Sequence, residues 1–453
     1  MAGKLAVIGG GPKAAAIAAK AFVLTHLGLD PPEVEIFESD HLGAAWSGRS
    51  GYTDGTQPLC TLAERDLGYP YDRATFGVRA AGLMQGLFSW HAFCVREGTD
   101  RIEYNEWVTR GRNPPIHSDF ARYVESSIQL SGAQHIRGEV VELDYTISGN
   151  LWLITWRDSA GQLHRSTYDG VVITGSGPPK PPLPQANSRV FDGKSFWQSI
   201  PAVIQLLQAS LDRSVVIIGA GGTGAAVAYW CVRKFAHMPI YIVGREATLH
   251  TRHSGYFEDR LFTDPVAWGA LPDHIKDAFV SRLTSGVVWD YVMRALSGAN
   301  LEYHCREARS FQTLPSYSAT KPPELAAEFV EVAPPGSTPP SAASPITLTL
   351  NAPVFVDARG FERWWFADQL MAPSLRRFFA PTKRSRISAS VDASLSVGGA
   401  VYPRLHVPGL ASRQGPGAAN LMALGWVADQ VLRAYVSPPP PRFTVPSSAS
   451  ISP

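Results

Sequence analysis

Leu5-Ala6-Val7-Ile8-Gly9-Gly10-Gly11-Pro12-Lys13-Ala14 is an apolar run of strand formers that meets a glycine turn and continues into an alanine-rich segment reaching Leu24. This is the strand–turn–helix opening of a dinucleotide-binding βαβ unit. Gly9 allows the tight turn, and Gly11 lets backbone N–H groups approach a pyrophosphate at the helix N-terminus. Ala14, in the place of the third glycine, keeps the helix close to the strand. A glycine string alone is a weak signal, and here the next strand supplies its context. Val34-Glu35-Ile36-Phe37-Glu38 ends in an acid about where a ribose 2′-hydroxyl needs an acceptor. A carboxylate at Glu38 repels a 2′-phosphate, so this first site suits FAD or NAD and not NADP.

The same pattern recurs at Ser214. Val215-Val216-Ile217-Ile218-Gly219-Ala220-Gly221-Gly222-Thr223-Gly224 runs into Ala225-Ala226-Val227-Ala228, again strand, glycine turn and helix. Its second strand, Ile240-Tyr241-Ile242-Val243-Gly244, is followed by Arg245 where the first unit has Glu38. A guanidinium there pairs with a 2′-phosphate; the alternative is a solvated surface arginine. Two fingerprints, one closed by an acid and one by an arginine, predict an α/β protein with two Rossmann-like domains, one for FAD and one for NADPH.

The rest of the chain is compatible with that frame. Its 453 residues predict two or three domains, and 45% hydrophobic with 18% charged residues describe an ordinary globular chain. A net charge of +2 carries no nucleic-acid signal. Cys60, Cys94, Cys231 and Cys305 lie far apart with no CxxC, which excludes a zinc site and a redox disulfide motif. No apolar run reaches membrane-spanning length, and a cytoplasmic location is expected. Leu42 to Tyr71 is a long polar, glycine-rich stretch whose aromatic and charged residues predict an ordered loop. Helices are expected around Ala80 to Glu97, from His117 with Ser118 as N-cap, and over Pro272 to Leu296. Gly138 to Arg157 reads as strand, and Gly177-Pro178-Pro179-Lys180-Pro181-Pro182 as a stiff crossover. Arg252 to Pro265 reads as a second polar, aromatic loop, and Pro315 to Ser344 as loops around one short strand. The buried run Val354-Phe355-Val356-Asp357 is expected to return the chain to the first sheet, ahead of a last helix, Met422 to Tyr435.

An FAD site and an NADPH site on one chain imply hydride transfer from nicotinamide to flavin. The disulfide-reductase branch needs a cysteine pair that is missing. The oxygen branch needs no catalytic side chain of its own, because the reduced flavin reacts with O₂ and the protein supplies binding, water exclusion and electrostatics. Ketone-inserting flavin oxygenases often carry Phe-x-Gly-x-x-x-His, where this chain has Phe191-Asp192-Gly193-Lys194-Ser195-Phe196-Trp197, so those families fit less well.

Three segments are more specific: Gly51-Tyr52-Thr53-Asp54-Gly55 with Glu64-Arg65-Asp66-Leu67-Gly68-Tyr69-Pro70-Tyr71; Gly255 to Pro265; and Gln414-Gly415-Pro416-Gly417 to Asn420-Leu421. In them the chain resembles the flavin-dependent N-hydroxylating monooxygenases of siderophore biosynthesis, and among these the L-lysine N6-monooxygenases of the mycobactin and nocobactin type. The resemblance implies N-hydroxylation of a primary amine through a C4a-hydroperoxyflavin, with FAD, NADPH and O₂. Lysine is the first choice of substrate; ornithine, the α-amine of aspartate, or a non-catalytic FAD-binding role are the alternatives. It also implies a discontinuous FAD domain: residues 1–185 and 351–436, the latter with the substrate cleft, around an NADPH domain at 186–350. The tail at 437–453 cannot bury enough apolar surface and is expected to be disordered. Family members are often dimers or tetramers.

The site residues implied are these. Arg65 stands where ornithine enzymes have a lysine that grips the amino-acid carboxylate, and Asp259 stands where they have an asparagine. Thr284 lies near a second family asparagine that this chain lacks. Trp46 matches a tryptophan near the flavin, and Asn420 and Leu421 belong to the C-terminal FAD motif.

Overall fold

The computed structural model describes residues 3–49, 51–73, 75–97, 104–146, 150–252, 255–284, 286–314, 324–334, 341, 343–398 and 403–436. The segment expected to form a disordered tail, 437–453, and part of the proline-rich stretch lie outside the described residues.

Two parallel sheets organise the chain. In the first, the strands run in the order Ser396–Val397, Arg404–His406, Gly170–Ile173, Lys4–Ile8, Glu33–Glu38, Gln134–Thr146, Leu151–Asp158 and Leu163–Tyr168. The five strands from Arg404–His406 to the start of Gln134–Thr146 are parallel to one another. Burial on both faces explains why the central ones read as unbroken apolar runs: Leu5, Ala6, Val7, Val171 and Val172 are wholly buried. Helix Pro12–His26 covers this sheet, presenting an almost continuous alanine surface that lets helices His117–Ser131 and Leu424–Leu432 approach closely. Glycine sets further close contacts. A Cβ at Gly425 would lie 2.3 Å from the Gly68 carbonyl, and Gly425 N–H donates to the Tyr69 carbonyl at 2.8 Å, so the last helix is docked on the Gly68-Tyr69 turn.

The second sheet is wholly parallel, in the order Leu301–Cys305, Ile240–Gly244, Val215–Ile218, Val354–Asp357 and Val190–Asp192. The expectation that Val354–Asp357 rejoins the first sheet is therefore corrected. It lies beside Val215–Ile218, so this domain extends through Asp357, past the boundary expected at 350. The chain rejoins the first sheet only at Ser396–Val397 and Arg404–His406. A three-stranded antiparallel sheet, Glu307–Leu314, Glu324–Val330 and Leu348–Asn351, packs beside the second core through Phe311 and Phe329.

Local expectations shift in instructive ways. The helical patch near Ala80 is two helices, Val78–Phe88 and Trp90–Arg96, divided at Ser89, whose hydroxyl caps the second. Ser118 lies inside helix His117–Ser131, and Ile116 is its N-cap. The span Pro272 to Leu296 is broken by a strand, Val287–Trp289, between helices Asp273–Thr284 and Asp290–Ser297. That strand pairs with His250–Arg252, and helix Tyr256–Thr263 occupies most of the stretch expected to be loop. The last helix is Leu424–Leu432, shorter than expected.

The crossover at Gly177–Pro182 runs beside the chain leaving the second domain. Lys180 N–H donates to the Gly360 carbonyl at 3.0 Å, Glu362 N–H to Pro178 at 2.9 Å, and the Arg359 guanidinium to Pro181 at 2.7 Å. Both connections between the domains thus form one paired strap.

Candidate active site

The first glycine turn has the geometry of a phosphate site. Gly9 has φ +104°, and a Cβ there would sit 2.6 Å from the Thr174 hydroxyl oxygen. Gly11 is the N-cap of helix Pro12–His26; no side chain caps it, and a Cβ at Gly11 would meet nothing within 4 Å. The first amides of a long helix therefore face open space, where an anion is favoured. Lys13 stands in that first turn without an acidic partner among the described residues, its ammonium pushed down to about 8 by burial. Ala14 is wholly buried against the sheet. Glu38 reaches back to the turn and accepts from Gly10 N–H at 2.9 Å and Asp40 N–H at 3.1 Å. These residues fit a dinucleotide with an unphosphorylated ribose.

Trp46 packs edge-on against His117 and Phe120, with centroids 4.9 and 5.5 Å away. Asn420 closes its own turn, donating to the Pro416 carbonyl and accepting from Met422 N–H, both at 2.9 Å; Leu421 is half-buried between them in sequence.

The second turn repeats the first. Gly219 has φ +117°, and a Cβ there would lie 2.3 Å from the Ala358 carbonyl. Gly221 caps helix Gly222–Lys234 without a side-chain bond. Gly224 packs so tightly that a Cβ would lie 2.1 Å from the Gly219 carbonyl, and the Thr223 methyl rests on Gly193. Arg245 follows strand Ile240–Gly244 and is exposed. Cys305 is paired in register with Gly244, which brings Arg306 beside Arg245. The sequence alone does not place Arg306 there. Its adjacency depends on which strand neighbours Ile240–Gly244, which no local pattern reveals.

Between the domains, Arg65 and Asp259 meet. Arg65 Nη2 lies 2.7 Å from Asp259 Oδ2, with side chains 8% and 20% exposed. Arg65 Nη1 also points at the Met422 sulfur, 3.1 Å away, so the C-terminal motif backs the same guanidinium. The loop is held from behind by Asp66. Its carboxylate accepts from Tyr71 O–H at 2.6 Å, Gly68 N–H at 3.1 Å and Trp90 N–H at 3.0 Å, and burial pushes it up to about 7. Asp66 therefore shapes the loop while Arg65 reaches Asp259 and Met422. Asp259 sits in the first turn of helix Tyr256–Thr263, from which Phe257 projects into solvent at 84% exposure. The adjacent Glu258 pairs with Arg282 at 2.8 Å and lies 4.0 Å from Arg252. Thr284 ends helix Asp273–Thr284, and its side chain lies outside the described residues.

Comparison with known proteins gives this geometry a family. Residues 86–289 match the model for L-lysine 6-monooxygenase/L-ornithine 5-monooxygenase. The L-lysine N6-monooxygenase MbtG of Mycobacterium sp. (strain MCS) is 31% identical over 445 residues, covering 96% of this chain and 95% of that one. MbtG of Mycobacterium tuberculosis (strain ATCC 25618 / H37Rv) is 30% identical over the same length. Among solved structures, lysine monooxygenase NbtG from Nocardia farcinica superimposes with a TM-score of 0.74 at 27% identity, covering 95% of this chain and 99% of that one. The ornithine hydroxylase PvdA from Pseudomonas aeruginosa shares the fold, with a TM-score of 0.70 at 13% identity, covering 96% and 99% of the two chains. The chain belongs to the L-lysine 6-monooxygenase/L-ornithine 5-monooxygenase family.

Proposed function

We propose that this protein N-hydroxylates the side-chain amine of L-lysine, using NADPH and O₂, with FAD at the Gly9–Glu38 site and NADPH at the Gly219–Arg245 site. FAD held by the Gly9 turn and Glu38 would supply the hydride acceptor for NADPH and the activation of O₂ for transfer of one oxygen atom. The chain's own part is to hold the two nucleotides, keep water out and present the amine.

The observation that carries the substrate reading is the Arg65–Asp259 pair, a cation and an anion side by side and largely buried. Its charges are the complement of an amino-acid head group. A substrate carboxylate takes over the Arg65 fork bidentately, and the α-ammonium takes over Asp259. The ion pair keeps both groups compensated until a head group takes their place, since either charge left alone in a dry site is costly. Anchoring at the head then places the far end of the substrate by reach, a proximity effect that separates lysine from the shorter ornithine. The attacking nitrogen must be neutral, although a free lysine amine has a pKa of about 10.4. Enclosure shifts it toward the neutral form. Cytoplasmic residence, where NADPH is supplied, completes the proposal.

The test is hydroxylamine formation by the FAD-loaded protein with NADPH and O₂ across lysine, ornithine, aspartate and 1,5-diaminopentane. Product from lysine in clear preference is expected. Product from aspartate or ornithine alone would sink the lysine reading, and NADPH oxidation yielding only peroxide with every amine would sink the whole substrate class.

A further inference from the structure

We propose that Arg252 is a second receptor for the carboxylate of the amine substrate, acting beside Arg65; the inference rests on the lysine reading above. Arg252 ends strand His250–Arg252 and stands opposite Trp289 in register. Its guanidinium is held between two rings, 5.0 Å from the Trp289 centroid and 5.3 Å from that of Phe262. The side chain is 9% exposed. Its Nη2 is buried and has no hydrogen-bond partner among the described residues. The nearest carboxylate, Glu258, is 4.0 Å from Nε and is already engaged by Arg282 at 2.8 Å.

A buried guanidinium with an idle nitrogen is costly, and native structures rarely leave one without an acceptor. Charge points the same way. Among the described residues, Asp259 is paired with Arg65 at 2.7 Å and Glu258 with the exposed Arg282 at 2.8 Å, which leaves Arg252 only a distant carboxylate at 4.0 Å. Arg252 lies in the electrostatic field of Asp259, Arg65 and the Cys60 thiol, and burial lowers its affinity for its own proton. The missing partner is thus a compact anion close to Arg65. A carboxylate fits, because its two oxygens match one guanidinium fork while remaining open to a second. The aromatic slot fixes the fork and excludes water, which strengthens the contact. Arg65 comes from the loop of the first domain and Arg252 from the second domain beside Asp259, so one carboxylate would bridge the two domains.

A phosphate of NADPH presents the same chemistry from another source, and the experiment separates them. FAD-loaded wild type, Arg252→Met and Arg252→Lys are assayed with L-lysine, L-lysinamide and 1,5-diaminopentane, and the Kd for NADP⁺ is measured alongside. Methionine preserves the apolar stem between the rings, and lysine preserves the charge. In Arg252→Met, kcat/KM for lysine is expected to fall about 10- to 100-fold, the scale of a lost charge-assisted hydrogen bond. Lysinamide and 1,5-diaminopentane, which lack the carboxylate, should stay within about twofold. The wild-type preference for lysine over lysinamide should collapse, and Arg252→Lys should keep part of it. The proposal is overturned by an equal fall on all three amines, by unchanged lysine kinetics, or by a change in NADP⁺ affinity alone. Should Arg252→Met fail to retain FAD, the lysine variant decides: a lysine-to-lysinamide ratio equal to that of wild type overturns the proposal. Wild-type enzyme that leaves lysine unmodified defeats the substrate reading instead, a distinct result from lysine turned over without regard to Arg252.

Discussion

Arg65 and Asp259 are separated by most of two domains in sequence, yet they form one ion pair at 2.7 Å. Their roles make different predictions. Arg65→Ala removes the carboxylate anchor and strands Asp259, so KM for lysine should rise at least about 10-fold, while NADPH oxidation in the absence of amine persists. Arg65→Lys keeps the charge but loses the planar fork, and its KM should fall between the two. Steady-state hydroxylamine assays check both, and unchanged KM in Arg65→Ala would end the anchoring role. Arg245 tests the other site. It is exposed, and its loss costs the fold little. Arg245→Ala should weaken NADPH about 10-fold and leave NADH unchanged, since only the 2′-phosphate distinguishes them; binding titrations with the two nucleotides read this directly.

At the level of elements, what the sequence reveals depends on whether the physics is local. Both nucleotide turns are legible because a left-handed turn against a strand demands glycine, as at Gly9 with φ +104° and Gly219 with φ +117°. Val354–Asp357 is not assignable in the same way. All four residues are buried, and a central parallel strand reads as a plain apolar run whichever sheet receives it. Arg252 escaped notice for a related reason: its slot is built from Phe262 and Trp289, on separate elements that only the fold brings together. The same is true of Lys20 and Asp429, which pair at 2.7 Å with side chains 2% and 4% exposed, joining helix Pro12–His26 to helix Leu424–Leu432. Asp429 also accepts from Thr75 N–H at 2.9 Å. Lys20→Met should leave that carboxylate buried without its cation and lower unfolding free energy by about 3 kcal/mol or more. The double variant Lys20→Met/Asp429→Leu should recover part of the loss. Denaturant titrations of the three proteins decide it, and additive losses would mean that the pair is not coupled.

At the scale of the whole molecule, the acid response involves two histidines of the larger domain, His406, which is buried, and His117, which is half-buried. His406 lies in strand Arg404–His406, fully buried; its Nδ1 is 2.8 Å from the Ser394 carbonyl and its Nε2 2.8 Å from the Tyr435 hydroxyl. It thereby ties the second strand of the first sheet to the turn that follows the chain's last helix. Gly170 makes room for this contact, because a Cβ there would collide with the Tyr435 hydroxyl. His117, at the start of its helix, has Nδ1 2.8 Å from the Thr53 hydroxyl and lies edge-on to Trp46. Burial lowers the pKa of each to about 4; the Ser394 carbonyl and Asp392 partly oppose this at His406, while Arg404 reinforces it. Released by unfolding, each titrates near 6.5. Between those values the unfolded chain binds more protons than the folded one, so stability is full above about pH 6.5 and falls as pH drops toward 4. At about pH 5.5 each histidine should contribute a loss of about 1 kcal/mol. His406→Asn, which cannot take up that proton, should start from lower stability at neutral pH but show a shallower decline on acidification. Denaturant titrations at a series of pH values compare the slopes, and identical slopes for wild type and variant would show that His406 takes no part in the acid response.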